Sequence, residues 1–176
     1  MAETFRARIM EEADVRRALA RIAHEIIERN GKETELVLLG VARRGAPLAE
    51  RIASNIEAFS DLKVHLANID ITFFRDDIEN KPQAPALPAC PVEGKTVILV
   101  DDVIYTGRTA RAALEAVLVM GRPARIQLAV LIDRGHRELP IRGDYIGKNV
   151  PTARSELIKV HIPPYDDAVN VDLYEN

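Results

Sequence analysis

VILVDDVIYTGRT, residues 97–109, runs an apolar, β-branched stretch into two adjacent acids and then into a hydroxyl-rich turn around a glycine. Thr96 to Val100 has the composition of a central parallel strand. Thr109 to Met120, with Ala110, Ala113, Leu114 and Val117 at helical spacing, reads as a helix stopped at Gly121-Arg122-Pro123. Strand, turn and helix in this order are the unit of an α/β protein, whose ligands sit beyond the carboxyl ends of the strands, where Asp101 and Asp102 fall. Thr106-Gly107-Arg108-Thr109 leads into a helix N-terminus, where unpaired N–H groups and the helix dipole favour an anion. Carboxylates accept hydrogen bonds from vicinal sugar hydroxyls or hold a hydrated Mg²⁺, so the acids and the anion cradle together describe a ribose-phosphate site. A P-loop would need a Gly-Lys-Ser/Thr end and a dinucleotide site a G-x-G-x-x-G turn, and neither is present here. The bland alternative is a solvated acidic loop followed by a helix cap; the convergence of both features favours the ligand site.

The same alternation extends outward from this unit. Asp14 to Asn30 places Val15, Leu19, Ile22 and Ile26 at helical spacing, with Asn30-Gly31 suited to a left-handed cap. Arg17, Ala20, Arg21, His24 and Glu28 form a second stripe on that helix, turned away from Ile22. Glu35 to Gly40 reads as a buried strand, and Gly45-Ala46-Pro47 starts a helix whose apolar face is Leu48, Ile52, Ile56 and Phe59. Val64 and Leu66, then Ile69, Ile71 and Phe73, alternate but change parity, which predicts a strand with a bulge or break near Ala67-Asn68. Arg75 to Lys95, with four prolines and no periodicity, predicts a mobile active-site loop. Ile126 to Ile132 is a further strand, and Tyr145 to Val150, Leu157 to Ile162 and Val169 to Tyr174 are shorter ones. The expectation is one α/β domain over residues 1–176 with a mostly parallel sheet.

Composition narrows the class. With 176 residues, 47% of them hydrophobic, the chain buries a core without disulfides, and the lone Cys90 argues for a reducing, cytoplasmic setting. MAETFRARIMEEADV lacks the apolar centre of a signal peptide, and no apolar run reaches membrane-spanning length. A net charge of −3 disfavours a wholly basic nucleic-acid surface and leaves room for a local basic face.

Val97 to Thr109 resembles the signature with which type I phosphoribosyltransferases bind phosphoribosyl pyrophosphate (PRPP), the donor they join to a nucleobase. RRALARIAHEIIERN (16–30), DITFFRDD (70–77) and LAVLIDRGHRELPIRGDYIGKNVPT (128–152) are similar to the PyrR family of pyrimidine-operon regulators and uracil phosphoribosyltransferases, and the similarity runs over nearly the whole chain. The resemblance implies the type I phosphoribosyltransferase fold: a mostly parallel sheet flanked by helices, a small hood and a flexible active-site loop. It implies that Val100, Asp101, Asp102, Val103, Ile104, Tyr105, Thr106, Gly107, Arg108 and Thr109 bind PRPP or UMP, with the acids on the ribose hydroxyls and Tyr105 to Thr109 around the 5′-phosphate. It implies that Ala42, Arg43, Arg44 and Gly45 form a diphosphate loop, that Asp101, Asp102 and Arg44 are the catalytic residues, and that Ile132, Asp133 and Arg134 cradle the base. Mg²⁺ is expected to arrive with PRPP, with no metal ligated directly by the protein.

Two features depart from the family pattern. Ala42-Arg43 stands where a Lys-Thr pair usually precedes the arginine, and the Arg75 to Lys95 segment is shorter. The resemblance further implies that the chain binds a stem-loop in the pyrimidine (pyr) mRNA leader, strengthened by UMP, through Arg21, His24, Arg29, Arg137, Arg142 and Lys148. Ala20 replaces a threonine expected on that face. A homodimer or higher homo-oligomer is implied as well. The rival reading is a salvage enzyme for nucleobases without RNA regulation.

Overall fold

A computed structural model describes residues 3–176, so the first two residues of the N-terminal stretch read above lie outside the described residues. In chain order the elements are β1 (Thr4–Met10), α1 (Glu12–Arg29), β2 (Glu35–Val41), α2 (Gly45–Phe59), β3 (Lys63–Ile69), a 3-10 turn (Thr72–Phe74), β4 (Thr96–Ile104), α3 (Arg108–Met120), β5 (Arg125–Asp133), β6 (Tyr145–Asn149), β7 (Glu156–His161) and β8 (Asn170–Glu175). Five strands form a parallel sheet in the order β3-β2-β4-β5-β6. The other three, β1-β8-β7, form an antiparallel sheet that joins the two ends of the chain.

Alternation along the central strands sends side chains to two cores. Leu36, Leu38, Ile98 and Val100 pack with Leu19, Ile22 and Ile26 of α1 and Leu48, Ile52 and Ile56 of α2. Val37, Leu39, Val97 and Leu99 pack with Ala112, Ala113, Ala116 and Val117 of α3. A sheet covered on both faces has continuous apolar strands, which explains the unbroken Thr96–Val100 run. Each fully buried Leu or Ile contributes about 1.5–3 kcal/mol.

Three expectations need correction. Strand β3 has no bulge: it pairs with β2 in unbroken register from Lys63 to Ile69. The parity change arises because β3 is an edge strand, on which Leu66 is 41% exposed while Ile69 is buried against α3's core. Helix α1 does not end in a left-handed cap either, since Asn30 sits at φ −111°. Its buried amide instead donates to the Ile26 carbonyl (2.9 Å) and to Gln127 (3.0 Å), closing the helix end with a side chain. Third, Thr4 to Met10, read above only for the lack of a signal peptide's apolar centre, form β1.

The segment from Arg75 to Lys95 is irregular, as its composition predicts, and is tied down where Phe74 and Val92 are buried. Gly45 fixes how closely α2 meets β4: a Cβ there would lie 2.4 Å from the Val100 carbonyl oxygen. Gly45→Ala is therefore expected to lower stability by about 1–3 kcal/mol through overpacking. Urea unfolding checks this, and an unchanged midpoint would show that the helix start has room to shift.

Candidate active site

Strand β4 is paired unequally at its carboxyl end. Its partnership with β2 stops at Gly40↔Val100, whereas its partnership with β5 runs to Ile104↔Asp133. From Asp101 onward one backbone edge is released, because β2 ends at Val41 and turns into the Ala42–Gly45 loop. The acids cover part of that edge themselves: the Asp102 N–H donates to Asp101 Oδ1 (2.9 Å) and the Val103 N–H to Asp102 Oδ1 (2.8 Å). Sequence reading placed the acids just past a strand, and they lie within it.

Both acids are half-buried. Burial, together with the Asp102 charge, pushes the Asp101 carboxyl well above the usual carboxylate range. Burial also raises Asp102, against the opposing pull of Asp101, the Val103 N–H and the Arg44 charge. Such a pair carries a proton more readily than exposed acids do.

Beyond Ile104, Gly107 adopts φ 93°, a left-handed conformation that turns the chain into α3 at Arg108. The Thr106 carbonyl accepts from the N–H groups of Glu138 (2.9 Å) and Leu139 (3.1 Å), which braces the turn from the following loop. A cavity of about 210 Å³ is lined by Asp101, Val103, Tyr105 to Ala110, Arg75 and Asp77. Arg108 bonds Asp76 (2.7 Å) and Glu138 (2.9 Å), and Arg75 bonds Asp77 (2.8 Å), so the start of the irregular segment lies across this turn.

On the β2 side, Arg43 is exposed and Arg44 is half-buried. Arg44 makes a two-pronged contact with Asp166, between β7 and β8, through Nε (3.1 Å) and Nη2 (3.0 Å). Sequence reasoning missed Asp166. The partners lie far apart in the chain, and no local pattern links them.

Of the residues expected to hold a base, Ile132 is buried in the strand and the side chains of Asp133 and Arg134 are engaged within the protein. Asp133 accepts from the Gly135 N–H (3.0 Å) and from Arg137 Nη2 (2.6 Å). Buried Arg134 lies 4.0 Å over the Tyr105 ring and donates to Thr152 Oγ1 (3.1 Å) and the Glu156 carbonyl (2.6 Å). Its burial lowers its pKa. The neighbouring His136 ring nitrogen Nε2 sits 2.5 Å from the Thr152 carbonyl. A pocket of about 400 Å³ between Asp133, His136, Asn149 and Thr152 leaves space for a planar ring at the ends of β5 and β6.

The expected RNA residues divide. Arg21 of α1 donates to the Ile146 carbonyl (3.2 Å) and to that of Gly147, which ties it to β6, and Lys148 Nζ of β6 lies 3.5 Å from the Ile9 carbonyl of β1. Arg29 pairs with Asp144 at 3.0 Å, and Arg142 is exposed. His24 stacks on Phe59, rings 4.4 Å apart and 3° from parallel. Arg137 departs from the expectation: its guanidinium turns inward to the carbonyls of Ile141 and Tyr105 (2.7 Å each) and to Asp133, and its side chain is 19% exposed. It buttresses the loop instead of presenting a free charge.

Residues 8–168 match the phosphoribosyl transferase domain family. The chain is 53% identical to the bifunctional protein PyrR of Clostridium perfringens, over 98% of this chain and 99% of that one. The chain belongs to the PyrR family of phosphoribosyltransferases. The PyrR of Brevibacillus brevis is 54% identical over 90% of each chain. The hypoxanthine phosphoribosyltransferase of Trypanosoma cruzi has the same fold, with a TM-score of 0.76 at 20% identity over 96% of this chain and 95% of that one. No helix among the described residues is long and apolar enough to cross a membrane.

The raised Asp101 carboxyl gives a signed expectation. An acid raised in the folded state contributes stability that is fully present below its unfolded value and is lost as pH rises through its folded value. Asp101→Asn removes that loss, so the unliganded variant is expected to melt no lower than the parent at pH 7, with its relative advantage shrinking toward pH 4. A variant melting well below the parent at pH 7 would show that the Asp101 charge supports the fold.

Proposed function

We propose that the protein is a uracil phosphoribosyltransferase, making UMP and diphosphate from uracil and PRPP, and a UMP-responsive regulator that binds the pyr mRNA leader. One juxtaposition carries the reading: the Asp101-Asp102 pair, the left-handed Gly107 turn at the start of α3 and the Arg44 charge meet around the released end of β4.

In this reading Asp101 and Asp102 accept from the ribose hydroxyls. Tyr105 to Thr109 wrap the 5′-phosphate, where the first turn of α3 supplies backbone donors and a favourable dipole. Arg108 and Arg75, now paired with carboxylates, exchange those partners for phosphate oxygens as the ligand enters. Uracil lies in the pocket beside Ile132, Asp133 and Arg134, held by backbone groups. Its N1 forms a bond to the anomeric carbon as the bond from that carbon to diphosphate oxygen breaks, and the N1 proton leaves to solvent. The ring passes through an oxocarbenium-like state, so the growing negative charge on diphosphate is the main quantity to stabilise. Arg44, Arg43 and the backbone of Ala42 and Gly45 are the groups placed for it. Asp133 is a poor general base, because both its oxygens are already engaged.

The half-buried Asp101-Asp102 pair beside the phosphate turn fits Mg²⁺ that is held by PRPP oxygens, adding negative charge near the ion without ligating it directly. Bound there, the ion would neutralise diphosphate charge.

For RNA, Arg21, Arg29, Arg142 and Lys148 supply phosphate contacts, and the exposed His24–Phe59 stack offers a flat surface beside unpaired bases. The family relationship and this partly basic face together support a homo-oligomer that displays the face in a cytoplasmic setting.

Purified protein given uracil, PRPP and Mg²⁺ is expected to form UMP, and Arg44→Ala is expected to lower kcat/KM about 100-fold. Asp101→Asn combined with Asp102→Asn should abolish PRPP use while the chain stays folded. A labelled pyr leader should bind more tightly when UMP is added. UMP synthesis without any RNA shift at low salt would leave the salvage-enzyme reading, and RNA binding without synthesis would leave a regulator only.

A further inference from the structure

We infer that Asp166 is a positioning residue for the transfer reaction: it grips one edge of the Arg44 guanidinium so that the opposite edge is presented to diphosphate. The inference rests on the phosphoribosyltransferase reading above. A guanidinium has five N–H donors in a rigid fork. Asp166 takes the side formed by Nε and one Nη2 hydrogen, at 3.1 Å and 3.0 Å. The end-on edge, both Nη1 hydrogens and the second Nη2 hydrogen, has no partner among the described residues, and the Arg44 side chain is 35% exposed. That edge matches two oxygens of a phosphate group. The Arg44 charge also reaches Asp102, the proposed ribose acid, so the guanidinium lies within charge range of the ribose site proposed above.

Asp166 is itself held from several directions, which separates it from an ordinary surface carboxylate. The Ile162 N–H donates to its Oδ2 (2.9 Å), and His161 Nδ1 lies 3.2 Å from its Oδ1. The other ring nitrogen of His161 lies 3.7 Å from Asp172, and buried Asp172 accepts from Arg8 Nε at 2.5 Å. Arg8 continues to Glu11, the residue before α1, at 3.2 Å. Asp166 thus ends a chain of side-chain contacts anchored in the antiparallel sheet. Burial alone would raise its carboxyl; Arg44, the Ile162 N–H and His161 outweigh it and bring it down to about 2.

A carboxylate that merely screened Arg44 would compete with diphosphate, and its removal would tighten binding. A positioning residue gives the opposite sign. In Asp166→Asn, KM for PRPP and Kd for diphosphate are expected to rise about tenfold, roughly the loss of one charged hydrogen bond. Kd for UMP, which carries no diphosphate, and KM for uracil should stay within about twofold. In an Arg44→Ala background, Asp166→Asn should change diphosphate binding no further, because the effect passes through Arg44. Asp166→Glu, which keeps the charge, should recover part of the affinity.

Unchanged or tighter diphosphate binding in Asp166→Asn would overturn the inference, as would equal weakening of UMP and diphosphate, the mark of a general structural loss. An undiminished effect in the Arg44→Ala background would overturn it too. Parent protein that binds neither PRPP nor diphosphate would remove the functional reading and this inference together, whereas a parent that binds both while Asp166→Asn matches it would remove the inference alone.

Discussion

The unequal pairing of β4 is the constraint from which the rest of the site follows. Hydrogen bonds to β2 end at Val100 and those to β5 continue to Ile104, so the strand leaves the sheet one edge at a time. A fully paired end would bury the Asp101 and Asp102 backbone between neighbours, and a fully free end would not hold the acids in place. Because β2 stops early, its loop carries Arg44 past the released edge, and Gly45 allows α2 to start against the Val100 carbonyl. Acids, cation and Gly107 turn are then brought together by strands that are otherwise ordinary core.

Three of the arginines around this end are engaged with carboxylates. Arg108, Arg75 and Arg44 all pair with carboxylates. In the proposed function, phosphate binding is an exchange of partners at Arg108 and Arg75, in which the net gain is the difference between two charge-assisted sets of hydrogen bonds, while Arg44 keeps Asp166. That arrangement offsets the repulsion between neighbouring like charges. It also ties the start of the irregular segment, through Asp76, to the Gly107 turn. Arg134 and Arg137 belong to a different class, since their guanidinium groups are spent on carbonyls and on Asp133 to hold the loop after β5.

What was legible in the sequence was what neighbouring residues decide. The strand-turn-helix unit at residues 96–120, the helices that pack on the sheet and the acids beside a glycine turn are local patterns, and they were read within a few residues. Leu66 misled because apolar character does not mark a core face on an edge strand. Asn30 suggested a left-handed cap, and its amide instead served a buried network with Gln127 and Tyr145. The extension of β4 to Ile104, the pairing of β1 with β8, the inward turn of Arg137 and the Arg44–Asp166 contact depend on residues distant in the chain. No periodicity in one sequence encodes such meetings.

A crystal structure of the protein with UMP tests the central claim most directly. The 5′-phosphate is expected against the backbone N–H groups of Thr106 to Thr109 and the ribose hydroxyls on Asp101 and Asp102, with the uracil ring in the pocket beside Asp133 and Thr152. A nucleotide bound elsewhere, with the end of β4 left free, would contradict it.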